Sequence, residues 1–132
     1  MRIGDLAAAG HVTAKTIRFY EQAGLLSAPP RTAAGYRDYA PDAVSRLVFI
    51  RDAQGAGLTL AEIRSVLELR DSGEAPCGHV ARLISTHLDQ IEQRMAELRK
   101  TRTLLTGLGR RAAETDPDSC TEGDICTIFR QP

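Results

Sequence analysis

The sequence predicts a mainly α-helical protein in which a winged helix-turn-helix domain precedes one long helix that pairs with a second copy. Three observations predict this fold class: two short helical patterns that meet at a tight turn, a proline- and glycine-rich stretch after residue 27, and a late heptad repeat of apolar residues. The boundaries that we predict are 1–70 for the winged helix-turn-helix domain, 71–77 for a hinge, 78–109 for the dimerisation helix and 110–132 for a C-terminal loop and tail.

The first two helices are predicted from their caps and their apolar spacing. An apolar pattern in "IGDLAAAG" ends at Gly10, and Thr13 is suited to cap the next helix because its hydroxyl can accept from a free amide of the first turn. In "AKTIRFYEQAG", Ile17, Tyr20 and Glu21 fall at helical spacing, and Gly24 ends the pattern.

A wing and two further helices complete the predicted domain. Pro29 and Pro30 exclude helix and Gly35 supplies a turn, so a short β-ribbon is expected. The next helix begins at Pro41 and Asp42 with an apolar stripe through "DAVSRLVFIRDAQGAG". The pair Thr59 and Glu62 has the spacing of a capping box and starts the helix after that.

The long helix carries a heptad seam. About 30 residues make a helix roughly 45 Å long, and an apolar stripe of that length needs a partner, which is most simply the same helix of a second chain. The alternative is that the helix folds back on its own domain. The seam residues, spaced alternately by four and three positions, are Ile84, Leu88, Ile91, Met95, Leu98, Arg102 and Leu105.

Composition limits the class of protein. Of the 132 residues, 42% are hydrophobic and 26% charged, which is typical of ordinary folded domains. We expect a cytoplasmic protein, because no apolar run approaches a membrane span and "MRIGDLAAAG" lacks the core of a secretory signal. The charges balance at 17 against 17, yet residues 13–37 carry four basic side chains against one acidic, a net of +3, which predicts a basic face. Base and nucleophile side chains at catalytic spacing are lacking, so an enzyme is not expected.

"TIRFYEQAGLL", followed by "GYRDYAPDAVSRLVFIRDAQGAGLTLAEI", resembles the MerR family of bacterial transcription regulators. The resemblance runs through residues 1–70 and continues more loosely to the terminal loop. It implies a homodimer on an antiparallel coiled coil that binds a palindromic operator in promoter DNA and works with RNA polymerase. In this family an inducer switches the dimer to a form that underwinds and bends the DNA.

Candidate DNA-contacting residues lie on the second helix and in the wing. The start of the second helix is the part that enters a major groove in such folds, and the wing can reach the sugar-phosphate backbone. An arginine can read guanine or hold phosphate, and the tyrosines can instead be packing residues. The candidates are Thr13, Lys15, Thr16, Arg18, Tyr20, Arg31, Tyr36 and Arg37.

The three cysteines form the second candidate site. Cys77 stands at the start of the long helix, where the helix dipole favours thiolate. In the antiparallel dimer that the resemblance implies, Cys77 meets Cys120 and Cys126 of the partner subunit, which gives two symmetric three-thiolate sites. Family members that detect univalent ions have serine where Cys77 stands, so the set points to a soft divalent ion, Hg²⁺, Cd²⁺, Pb²⁺ or Zn²⁺, with His79 as a possible extra ligand. Zinc normally takes four ligands and would need His79, Asp124 or water in addition to the thiolates.

The full prediction is therefore a winged helix-turn-helix DNA-binding domain, a long antiparallel coiled-coil dimerisation helix and a short C-terminal metal-binding loop. We expect the tail residues Ile125, Ile128 and Phe129 to fold over the ion and pack on the long helix. Three alternatives stay open: buried packing cysteines, a redox sensor that uses a Cys120–Cys126 disulfide, and a structural zinc site that staples the dimer.

Overall fold

The computed structural model describes residues 1–120, 123 and 125–130. The described part is mainly α-helical, as predicted, and it divides into one unit over Met1–His87 and another over Leu88–Pro132. Within that part, every helix is too short or too polar to span a lipid bilayer. The helices are α1 (Ile3–Gly10), α2 (Ala14–Gln22), α3 (Asp42–Gly55), α4 (Leu60–Asp71) and α5 (Cys77–Glu114), followed by 3₁₀ turns at Pro117–Ser119 and Thr127–Phe129.

The turn between α1 and α2 has the predicted cap. Thr13 Oγ1 accepts from the Thr16 backbone N–H at 3.1 Å, and His11 takes the left-handed conformation with a φ of 54°. Gly10 permits a close approach of α1 to α3, because an added Cβ would lie 2.4 Å from Leu47 Cδ2. The helix-turn-helix is therefore fixed both by its local cap and by packing on α3.

The wing is smaller than the expected β-ribbon. A single antiparallel bridge joins Arg31 to Arg37, and the backbone N–H of Thr32 donates to the Tyr36 carbonyl at 2.7 Å. Gly35 closes the turn with a φ of 87°. The paired prolines just before the bridge have no N–H to donate, so a longer ladder cannot form on that side.

The starts of α3 and α4 agree with the sequence. The capping box of α4 is complete: the Thr59 N–H donates to Glu62 Oε1 at 2.9 Å, and the Glu62 N–H donates to Thr59 Oγ1 at 3.1 Å. Each bond satisfies an amide that the helix itself leaves without a partner.

Apolar residues from α1 to α4 and from the connecting loops form one core in the first unit. Arg51 Nη1 donates to the Gly10 carbonyl at 2.8 Å, and Arg46 Nε donates to the Leu25 carbonyl at 2.8 Å. Both arginines of α3 thus bind main chain of the helix-turn-helix. The six largest fully buried side chains are Leu6, Ile17, Leu25, Leu47, Ile50 and Ile63.

Helix α5 is longer than predicted and has no buried residue along its fully described length. It begins at Cys77 and continues to Glu114, past the predicted boundary at residue 109 and through Gly107 and Gly109. Helix interiors tolerate glycine at a cost of about 1 kcal/mol each relative to alanine. The apolar residues of the predicted seam are 41–58% exposed.

Candidate nucleic-acid interface and metal centre

Helix α2 separates a buried face from a basic face. Ile17 and Tyr20 point into the core, whereas Lys15 and Arg18 are exposed. The hydroxyls of Thr13 and Thr16 lie 3.0 Å apart and bond to each other near the helix start. The exposed cations therefore lie on the side of α2 that a DNA groove can reach.

Arginines from three elements meet beside the wing. Arg18, Arg31, Tyr36 and Arg37 line an open cleft of about 410 Å³ together with Arg2, which sequence reasoning missed. The Arg2 guanidinium lies over the Tyr36 ring, 4.6 Å from its centroid, in a cation–π contact. The one sequence signal for a place of Arg2 in this cleft is its position directly before the first turn of α1.

Internal contacts orient the two arginines of the wing. Arg31 Nη1 donates to the Gly35 carbonyl at 2.8 Å, and Arg37 Nη2 lies 3.5 Å from Glu21 Oε2 with 28% of its side chain exposed. Glu21 also accepts from the Tyr39 hydroxyl. Burial, and then this bond to Glu21, raise the pKa of Tyr39 to about 12, so Tyr39 remains a neutral donor. The wing is thus braced against α2 through Glu21.

Tyr20, one of the candidate DNA contacts, packs in the core of the first unit. Its side chain is 4% exposed, and its hydroxyl donates to Gln54 Oε1 at 2.7 Å. Burial raises the pKa of this phenol. The environment of Tyr20 is therefore that of a packing residue. Tyr36, by contrast, is exposed.

The three cysteines are all described, and no disulfide joins them. Cys77 is exposed in the first turn of α5, and Cys126 is half-buried directly before the turn Thr127–Phe129. Cys120 Sγ lies 3.5 Å from Thr127 Oγ1. Among the described residues, no three His, Cys, Asp or Glu side chains of one chain are grouped to hold a metal ion; Asp124, considered as an additional zinc ligand, lies outside them.

Two histidines of α5 bind α4 within the first unit. His79 Nε2 lies 2.7 Å from Ser65 Oγ, and His87 Nε2 lies 2.8 Å from Glu62 Oε1. His79 is therefore held by a serine, and only its other ring nitrogen is left to serve as the extra ligand. The Thr59 N–H first, and the His87 side chain second, hold the pKa of Glu62 below its usual value.

The tail contacts α5 by a route that the sequence did not suggest. Arg111 Nη1 donates to the Ile128 carbonyl at 2.9 Å and also to the Arg130 carbonyl. Ile125 and Phe129 are exposed in the single chain, whereas Ile128 is half-buried, so packing of the apolar tail on α5 around a bound ion stays a prediction. Main-chain hydrogen bonds tie this segment to the helix.

The sequence matches two family descriptions that together span most of the chain. Residues 1–69 match "MerR HTH family regulatory protein", and residues 44–108 match "MerR, DNA binding". The chain belongs to the MerR family. The basic face of α2 and the wing are therefore parts of a DNA-binding transcription regulator.

Relatives in the MerR family are similar over nearly their whole length. The "HTH-type transcriptional regulator ZntR homolog" of Haemophilus influenzae is 34% identical over 118 residues, which cover 89% of this chain and 87% of the relative. The "Mercuric resistance operon regulatory protein" of Bacillus cereus is 37% identical over 113 residues, 86% of each chain. The solved structure of PbrR691 from Ralstonia metallidurans CH34 in complex with lead(II) is 38% identical, with a TM-score of 0.74 over 98% of this chain and 96% of that one.

The structure brings together some of the candidate residues of this MerR-family chain. Arg18, Arg31, Tyr36 and Arg37 share one cleft. The thiol of Cys120 contacts the turn that Cys126 begins. Cys77 belongs to the first unit and the other two cysteines to the second.

Proposed function

We propose that this regulator binds a palindromic promoter operator as a homodimer and activates transcription by distorting DNA when a soft divalent metal ion binds Cys77, Cys120 and Cys126. The inducers that fit are Hg²⁺, Cd²⁺, Pb²⁺ and Zn²⁺. The observation that carries the proposal is the placement of three thiols without a disulfide, one in the first turn of α5 and two just beyond its last turn.

The exposed basic face of the first unit supports the DNA part of the proposal. In two copies of the domain, the helix α2 of each copy enters a major groove and the wing holds the neighbouring backbone. Tyr20 contributes by fixing α2 on the core. The proposed contacts are Thr13, Lys15, Thr16, Arg18, Arg31, Tyr36 and Arg37, and Arg2 joins them through its contact with Tyr36.

The seam of α5 supports the homodimer. Its apolar side chains, from Ile84 to Leu105, are about half exposed at heptad spacing, and a second copy of the same helix would cover them. Burying apolar area releases roughly 25 cal/mol for each Å² removed from water, so covering the whole seam stabilises a pair. A two-fold axis would place two DNA-binding domains for the two halves of a palindrome.

The donor chemistry supports a soft ion shared between chains. Thiolates are soft ligands, and mercury, cadmium and lead accept three of them, whereas zinc favours a fourth ligand such as His79 or water. The described residues of one chain do not group three donors, so we infer that Cys77 of one subunit joins Cys120 and Cys126 of the partner subunit. The named relatives, a mercuric resistance regulator and a lead(II)-bound PbrR691, support this metal class.

The route from metal to promoter is a choice between two dimer conformations. Bending or untwisting an operator costs a few kcal/mol, which RNA polymerase contacts and DNA-binding contacts must offset. Thiolates from both subunits hold the ion best in one dimer conformation, so occupancy shifts the population towards that conformation. In our proposal this conformation holds the promoter in the form that RNA polymerase uses.

A redox sensor that joins Cys120 to Cys126 is the alternative function. It leaves Cys77, at the exposed start of α5, without a role. Transcription in vitro with RNA polymerase from the promoter region upstream of the gene separates the two functions, with Hg²⁺, Cd²⁺, Pb²⁺, Zn²⁺ and peroxide added in turn. We expect at least one metal to raise transcript levels, and Cys77→Ser to abolish that response. A response to peroxide alone, unchanged by Cys77→Ser, would favour the disulfide.

A further inference from the structure

Arg111 makes an unusual pair of contacts in the last turns of α5. Arg111 Nη1 donates to two main-chain carbonyls: to that of Ile128 at 2.9 Å, and to that of Arg130. The Thr115 hydroxyl donates to the Arg111 carbonyl at 2.6 Å, which secures the same turn of the helix. The Arg111 side chain is partly buried, whereas the neighbouring Arg110 is exposed.

Ile128 lies in the turn Thr127–Phe129, which we call the C-terminal turn, and Arg130 directly follows it. Cys126 directly precedes this turn, and its carbonyl accepts from the Phe129 N–H at 3.3 Å. Cys120 Sγ lies 3.5 Å from the hydroxyl of Thr127, the first residue of the turn. Both loop cysteines are thus attached to one short element, and Arg111 is the side chain that ties that element to α5.

The described apolar side chains of the tail differ in burial. Ile125 and Phe129 are exposed and Ile128 is half-buried, whereas Arg111 supplies two hydrogen bonds to the main chain of the tail. Hydrogen bonds from a charged donor are stronger and more directional than those between neutral groups. The guanidinium group of Arg111 therefore helps to set the orientation of the C-terminal turn on α5.

We propose that Arg111 is a positioning residue for the metal centre: it holds the C-terminal turn so that the thiolates of Cys120 and Cys126 face the same ion. The inference rests on the proposed metal-sensing function and deepens it. Arg111 touches no ion itself. Arg111 restricts the motion of the loop before the ion binds, so less conformational entropy is lost when the two thiolates bind the ion. Removing Arg111 therefore weakens metal binding.

The test uses Pb²⁺ as the probe and the full-length dimer as the protein. Lead affinity is measured by competition with a chelator, and the thiolate-to-lead charge-transfer absorption reports the sulfur ligands directly. We expect Arg111→Ala to lower Pb²⁺ affinity by about 10- to 100-fold, the range for residues that orient metal ligands. Arg111→Lys should recover part of the loss, because an ammonium also offers several donors. Arg110→Ala is the matched control and should stay within about twofold of wild type.

A deletion of residues 128–132 keeps the test independent of how Arg111→Ala folds. It removes the carbonyls that Arg111 binds, so it should lower Pb²⁺ affinity as much as Arg111→Ala does, and combining the two changes should cause little further loss. Helical circular dichroism and dimer mass check that each variant is folded.

The outcomes separate the inference from the proposed function. If wild type binds Pb²⁺ with a thiolate signature and Arg111→Ala binds as tightly as Arg110→Ala, the positioning role is overturned and the metal site stands. If wild type binds none of Pb²⁺, Hg²⁺, Cd²⁺ and Zn²⁺ more tightly than a variant without cysteines, then the proposed function fails.

Discussion

Truncation of Leu98 in the α5 seam gives a quantitative test of dimerisation. Full burial of a leucine side chain is worth about 1.5–3 kcal/mol. Leu98 is 51% exposed in the single chain, so covering it gains about half of that, roughly 0.8–1.5 kcal/mol for each subunit. A symmetric dimer contains two copies, so Leu98→Ala should cost about 1.5–3 kcal/mol. At 1.4 kcal/mol for each factor of ten, the dimer dissociation constant rises by about 10- to 100-fold.

Leu104→Ala is the matched control, because Leu104 is 59% exposed but lies off the heptad seam. Sedimentation equilibrium of the metal-free proteins over a dilution series measures both dissociation constants, and circular dichroism checks that α5 stays helical. The reasoning predicts a large shift for Leu98→Ala and little for Leu104→Ala. Equal shifts for the two variants, or none for Leu98→Ala, would refute the assignment of the seam.

Three further predictions concern the first unit. Because the pKa of Glu62 is lowered in the folded chain, its charge stabilises the fold above its unfolded pKa, and this stabilisation is lost as pH falls through the lowered pKa. Glu62→Gln should therefore lower the melting temperature near neutral pH, and the difference from wild type should vanish in acid; a difference that persists there contradicts the pairing with Thr59 and His87. Tyr20→Phe should lower the free energy of unfolding by about 1 kcal/mol through the lost bond to Gln54 and change operator affinity by less than about twofold. A loss of operator affinity of tenfold or more in a gel-shift titration would indicate that Tyr20 takes part in DNA binding. Lys15→Ala should weaken binding to all operator variants alike and reduce the slope of log affinity against log salt by about 2, one phosphate for each subunit; an unchanged slope would contradict a phosphate contact.

Local signals in the sequence predicted the helix starts. The caps at Thr13 and at Thr59 with Glu62 depend on residues three positions apart, and both are present in the structure. Ile17, Tyr20 and Glu21 were likewise predicted at helical spacing, and Ile17 and Tyr20 are buried on α2.

Contacts between distant residues could not be predicted in the same way. Arg51 and Arg46 read as ordinary basic residues of α3, yet each binds a carbonyl of the helix-turn-helix more than twenty residues away along the chain. The bonds from Arg111 to the tail are of the same kind. Any surface arginine has the donors for such a bond, and only the fold decides which carbonyl comes within reach.

The sharing of one metal centre between two chains is tested most directly with a mixed dimer. One subunit carries Cys77→Ser and the other carries Cys120→Ser with Cys126→Ser, and a different affinity tag on each subunit isolates the heterodimer. If each ion is held by Cys77 of one subunit and the two loop cysteines of the other, one of the two sites keeps all three thiols. The heterodimer should then bind one Pb²⁺ with thiolate absorption and wild-type affinity, although neither parent homodimer does. A heterodimer that binds no Pb²⁺ in this way, while wild type binds two, would contradict the account.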